Sequence, residues 1–69
     1  MATITLFRDE PKELTVTKKT LIDCGNIGLL ISFDNKSFRK VENDLFIDPG
    51  TIYIKTKEES TVVDYQEVN

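Results

Sequence analysis

Residues 45–65 read Leu-Phe-Ile-Asp-Pro-Gly-Thr-Ile-Tyr-Ile-Lys-Thr-Lys-Glu-Glu-Ser-Thr-Val-Val-Asp-Tyr. Apolar and polar side chains alternate with the period of a pleated strand, and the alternation breaks at Pro49-Gly50 and at Glu58-Glu59. The stretch therefore reads strand, turn, strand, turn, strand. Closing the first turn from Asp48 to Thr51 sets Ile47 opposite Ile52, Phe46 opposite Tyr53 and Leu45 opposite Ile54. Closing the second at Glu58-Glu59 sets Thr56 opposite Thr61, Ile54 opposite Val63 and Ile52 opposite Tyr65. The two registers agree on one apolar face, Leu45, Ile47, Ile52, Ile54, Val63 and Tyr65, and one mixed face, Phe46, Tyr53, Lys55, Val62 and Asp64. Both depend on the Pro49-Gly50 corner, because an L-Pro-Gly pair prefers type I or II geometry, whose twist suits a two-residue hairpin poorly.

Working outward, Thr3 to Phe7 reads as a strand with Ile4 and Leu6 on one face. Asp9-Glu10-Pro11-Lys12-Glu13 interrupts it, since proline cannot donate to a ladder and the charges favour water. Leu14 to Lys18 resumes the alternation, with Lys18 and Lys19 suited to a guarded sheet edge. Leu21-Ile22 is a short strand, and Asp23-Cys24-Gly25-Asn26 a turn. Ile27 to Phe33 carries Ile27, Leu29, Ile31 and Phe33 on one face and is the expected central strand. A turn at Asp34-Asn35-Lys36-Ser37 would set Phe33 opposite Phe38 and Ile31 opposite Lys40, an apolar-charged mismatch that implies a bulge or a splayed strand. Val41 to Asp44 is a polar connection. No window repeats apolar residues at helical spacing, so little or no helix is expected, with one short turn at Pro11 to Leu14 the exception.

The expected fold is all-β, a single small domain over residues 1–69. It is built of five to seven short antiparallel strands in a β-sandwich or partly open β-barrel. A chain of 69 residues buries only roughly 60% of its unfolded surface. A partner surface or self-association is a common source of the missing stability at this size.

The composition narrows the chemistry. There is one cysteine and no histidine, which leaves neither an intrachain disulfide nor the ordinary ligands of structural zinc. The net charge of −3 argues against non-specific attraction to nucleic acid or anionic lipid. No apolar run reaches the ~20 residues of a membrane-spanning helix. Met1-Ala2-Thr3-Ile4 lacks the basic start and apolar core of a secretion signal, so the cytoplasm is the expected compartment.

Catalytic motifs are weak. Cys24 sits beside Asp23, which opposes ionisation of the thiol. Asp34-Asn35 and Asn43-Asp44 lack the spacing of a calcium loop. Gly25-Asn26-Ile27-Gly28 matches a GxxG phosphate clamp, but that motif works between helices. No cofactor, metal or enzyme activity is expected. Phe46, Tyr53, Lys55, Lys57, Arg39 and Lys40 would suit a single-stranded nucleic-acid platform, against which stand the negative charge and Asp64.

The mixed face, Phe46, Tyr53, Lys55, Val62 and Asp64, is the candidate site, because exposed aromatics beside charges make interface centres. The competing reading covers the two rings with the chain ends or the far side of a barrel. The leading function is a non-catalytic protein-binding module, an accessory subunit or small inhibitor docking on a larger protein through a sheet face or strand edge. A self-assembling structural subunit is the alternative.

Overall fold

Eight strands form where the alternation runs: β1 (Ala2–Phe7), β2 (Lys12–Val16), β3 (Thr20–Ile22), β4 (Leu29–Ser32), β5 (Arg39–Val41), β6 (Leu45–Ile47), β7 (Gly50–Lys55) and β8 (Ser60–Glu67). The computed structural model describes residues 2–24 and 28–68, and among these there is no helix.

The ladders nest. β1 pairs with β8, β2 with β7, β3 with β6 and β4 with β5, all antiparallel. The chain is thus one long antiparallel ribbon, its first half laid against its second and closed at the β4–β5 hairpin. Along it Leu6 stands opposite Thr61, Leu14 opposite Ile52, Ile22 opposite Leu45 and Ile31 opposite Arg39. The ribbon is rolled so that β8 also meets β3 and β7 also meets β4. Two four-stranded sheets result, β1-β8-β3-β6 and β2-β7-β4-β5, interleaved as in a jelly roll.

Rolling buries the inward apolar residues of both sheets, edge strands included, between them. Leu6, Ile22, Ile47 and Val63 from the first sheet join Leu14, Val16, Leu29, Ile31, Ile52 and Ile54 from the second in one cluster. Ile4, Val41, Leu45 and Tyr65 pack against it. Each fully buried Val, Leu or Ile contributes about 1.5–3 kcal/mol, the main favourable term in a domain without cross-links. The β1 side is drawn together: the Asp9 amide donates to the Thr56 carbonyl at 2.9 Å, and Lys57 Nζ meets Asp9 Oδ1 at 2.9 Å. The Lys57 hydrogen bond, the largest cause, holds the Asp9 carboxyl below its ordinary pKa.

The structure corrects several expectations. The expected all-β antiparallel sandwich forms, but with eight strands among the described residues rather than five to seven. The hairpin pairings of residues 45–65 do not form. Ile47 pairs with Thr20, Phe46 with Leu21 and Leu45 with Ile22, whereas Ile52, Tyr53 and Ile54 pair with Leu14, Glu13 and Lys12. Thr61, Val63 and Tyr65 lie opposite Leu6, Ile4 and Ala2. At Pro49-Gly50 the chain crosses from one sheet to the other, and Gly50, at φ 149°, takes a backbone conformation that L residues rarely adopt. Each residue nevertheless keeps its inward or outward side, because alternation within a strand depends on which side meets the core and not on which strand lies alongside; the outward residues are divided between the two sheets.

The Phe33–Phe38 pair is absent as well. β4 stops at Ser32 because Asp34 Oδ1 accepts from Ser32 Oγ at 2.7 Å and from the amides of Lys36 and Ser37 at 2.8 and 3.0 Å. Asn35 takes a positive φ of 60° to complete the loop. The register shifts by one residue, Ile31 meets Arg39 instead of Lys40, and Phe33 is left 75% exposed. Pro11 to Leu14 forms no helical turn, since β2 begins at Lys12. Lys18 and Lys19 lie just beyond β2, which is an edge strand. The Gly25-Asn26 turn and Ile27 fall outside the described residues.

Candidate functional site

The five predicted site residues divide between the two outer faces of the sandwich. Phe46, Val62 and Asp64 belong to β6 and β8 of the first sheet, and Tyr53 and Lys55 to β7 of the second. Phe46 and Tyr53, expected side by side, are separated by the core.

On the first sheet the registers build two adjacent rows. Gln66, Leu21 and Phe46 align across β8, β3 and β6. Beside them Asp64 lies opposite Thr3, and its carbonyl accepts the Asp23 amide at 2.9 Å. The β3–β6 register, continued one step, brings Asp44 next to Asp23. Asp23, Asp44 and Asp64 border, with Leu21, Tyr65 and Gln66, a shallow hollow of about 140 Å³. Phe46 is 56% exposed, with Lys19 Nζ 5.3 Å from its ring centroid, and Val62 is 57% exposed opposite Thr5. Around edge strand β6 the apolar surface continues: Phe33, Leu45 and Phe46 line one hollow, beside the Pro49-Gly50 crossing.

The second sheet carries the opposite charge at its centre. Lys55, Leu30 and Lys40 align across β7, β4 and β5. Lys55 Nζ stands 4.2 Å from the Phe38 centroid, and none of the ion pairs among the described residues involves it. Lys40 Nζ meets Glu42 at 3.1 Å. In the next row Tyr53, partly buried, lies between Glu13 and Ser32.

Leu21, Asp23 and Asp44 on one face, and Leu30 and Phe38 on the other, are absent from the sequence-based site. Leu21 and Leu30 reach their places through strand partners distant in sequence, Asp23 and Asp44 flank those paired strands, and Phe38 is set by the β4–β5 connection just before β5. Lys40 was visible only as a member of the nucleic-acid platform, which is divided in the same way, since its Phe46 lies on the face opposite Tyr53, Lys55 and Lys40.

Cys24 is fully buried, and burial, reinforced by the Asp44 and Asp23 carboxylates, pushes its thiol up to about 11. It is held as the protonated, unreactive form at neutral pH. Hydrogen bonds from the Ser37 amide, the Ser32 hydroxyl and the Lys36 amide hold the Asp34 carboxyl down at about 2. Among the described residues no group of three or more His, Cys, Asp or Glu side chains is arranged to hold a metal ion, and no helix is long and apolar enough to cross a membrane. No family model, curated protein or solved structure matches the chain.

Proposed function

We propose that this chain is a non-catalytic protein-binding module that docks through the outer face of the first sheet and the adjoining edge strand β6. One observation carries the reading: Phe33 and Phe46, 75% and 56% exposed, flank the same hollow at an edge strand. Rings left in water beside an unpaired strand edge are favourable to cover, and a protein surface covers them with apolar contacts and main-chain hydrogen bonds together. Val62 and Leu21 extend the apolar area, and Asp64 and Asp44 supply the charged margin that sets orientation. An accessory subunit or an inhibitor of a larger protein works in this way, and the cytoplasm, where Cys24 stays reduced, is the compartment that belongs to this reading.

The test is capture by the immobilised chain, from a lysate of its source cells and from a solution of the purified chain itself. Phe33→Ser and Phe46→Ser should each keep the wild-type melting curve and lose the captured protein, the substitution being made in both the immobilised and the dissolved chain where the chain itself is captured. Capture that survives both phenylalanine changes would overturn the reading, as would unfolding by either change, which would make that ring part of the core.

A further inference from the structure

From the two outer faces we infer that the partner is a second copy of this chain, docked head to tail with its Lys55-Leu30-Lys40 row on the Asp64-Asp23-Asp44 row of the first. The inference rests on the protein-binding reading and names the occupant of that same face.

Charge complementarity is the first support. The first sheet's face presents aspartates from three neighbouring strands or their ends, with Leu21 and Phe46 in the next row. Carboxylates in adjacent cross-strand positions repel one another, and that repulsion is relieved by cations brought to the face. The second sheet's face presents two lysines on either side of Leu30, one over the Phe38 ring and the other beside Glu42. The two rows therefore carry opposite signs, and each adjoins apolar surface: Leu21 and Phe46, with Lys19 over the ring, beside the aspartates, and Leu30 between the lysines.

Area is the second support. The molecule measures 32 × 22 × 17 Å, so its broad face has an outline of roughly 700 Å². A standard stable interface takes roughly 800 Å² from each partner. Only a contact that uses nearly a whole sheet face comes close to that scale here.

Because the two surfaces lie on opposite sides of one sandwich, the contact is heterologous. Each docked copy leaves one face of each sign free, so growth continues unless the rotation between copies closes a ring. The chain is then a building unit whose own fold supplies both halves of its joint.

Charge exchange tests this directly. Asp44→Lys with Asp64→Lys makes both faces basic, and Lys40→Glu with Lys55→Glu makes both acidic. Thermal melting confirms that each pair of substitutions leaves the fold intact; if a double variant melts early, Asp64→Lys alone and Lys40→Glu alone take its place. Sedimentation at up to about 1 mM, where even a contact of roughly 4 kcal/mol is half formed, should show wild-type mass rising past the dimer. The rise should fade at about 1 M salt, where screening extends only roughly 3 Å. Each double variant should associate on the order of 100-fold more weakly, since like charges across an interface cost several kcal/mol, and an equal mixture of the two should regain the wild-type mass. A wild-type chain that stays monomeric, or stops at a dimer, overturns the head-to-tail contact. So do variants that assemble as well as wild type, or a mixture that does not recover. A monomeric wild type that still captures a different protein through Phe46 removes the second copy as partner and leaves the protein-binding reading standing.

Discussion

Ile47 lies opposite Thr20 in one sheet, while Ile52, just past the Pro49-Gly50 corner, lies opposite Leu14 in the other. Both side chains are buried but belong to different sheets, so the exposed Asp48-Pro49-Gly50 segment carries the chain from one sheet to the other rather than turning it back on itself. The crossing needs Gly50 at φ 149°, where a Cβ would meet nothing within 4 Å. The penalty for a side chain there is conformational and not steric. Gly50→Ala is therefore expected to destabilise the fold by about 1–3 kcal/mol, read as a lower urea midpoint with an unchanged slope. A variant as stable as wild type would mean that the crossing does not depend on this backbone conformation.

The core and the docking face respond differently to truncation. Ile54 is fully buried on β7, an interior strand, and Ile54→Ala removes contacts that the packed layers cannot close over. It should cost about 2–5 kcal/mol, a large part of the roughly 5 kcal/mol at the lower end of domain stability. Phe46→Ser should change stability by no more than about 0.5 kcal/mol, the usual range at an exposed site. Denaturation of the two variants side by side checks the contrast.

The β4–β5 loop carries a pH dependence. Its key carboxyl, Asp34, has a pKa lowered from 3.8 to about 2 by the Ser37 amide, the Ser32 hydroxyl and the Lys36 amide. A depressed carboxylate pKa stabilises the folded state above the unfolded value, and that contribution is lost as pH falls from about 4 through 2. Titration of the Asp34 carboxyl carbon by NMR should give a midpoint near that lower value. In Asp34→Ala the Lys36 and Ser37 amides should exchange faster at neutral pH, and the acid limb of the stability curve should flatten. A midpoint at the ordinary carboxylate value would show that the loop hydrogen bonds do not persist in solution.

Strand positions and inward faces were legible because each is written locally. Ile4 and Leu6, Leu14 and Val16, and Ile52 and Ile54 alternate with polar neighbours, and a period of two needs no knowledge of the partner strand. Partner choice was not legible. Pro49-Gly50 and Glu58-Glu59 mark where the chain bends, but a bend in a sandwich either closes a hairpin or passes to the other sheet, and both outcomes keep the same residues inside. The hairpin that the fold does use, at Asp34 to Ser37, was located correctly and misregistered by one residue, because the side chain of Asp34 organises a loop wider than two residues. The candidate site inherited this ambiguity. Phe46, Val62 and Asp64 share a sheet, Tyr53 and Lys55 share the other, and the residues that complete each face, Leu21 and Leu30 among them, arrive through pairings between distant parts of the chain.

The most direct test of whether the two outer faces recognise each other is an NMR concentration series on the isotopically labelled chain, from dilute solution to about 1 mM, where a contact of roughly 4 kcal/mol is half formed. Head-to-tail docking predicts that the signals of Leu21, Phe46 and Asp64 on the first sheet shift together with those of Leu30, Lys40 and Lys55 on the second, along a single binding curve. Shifts confined to one face, or none at all, would contradict it.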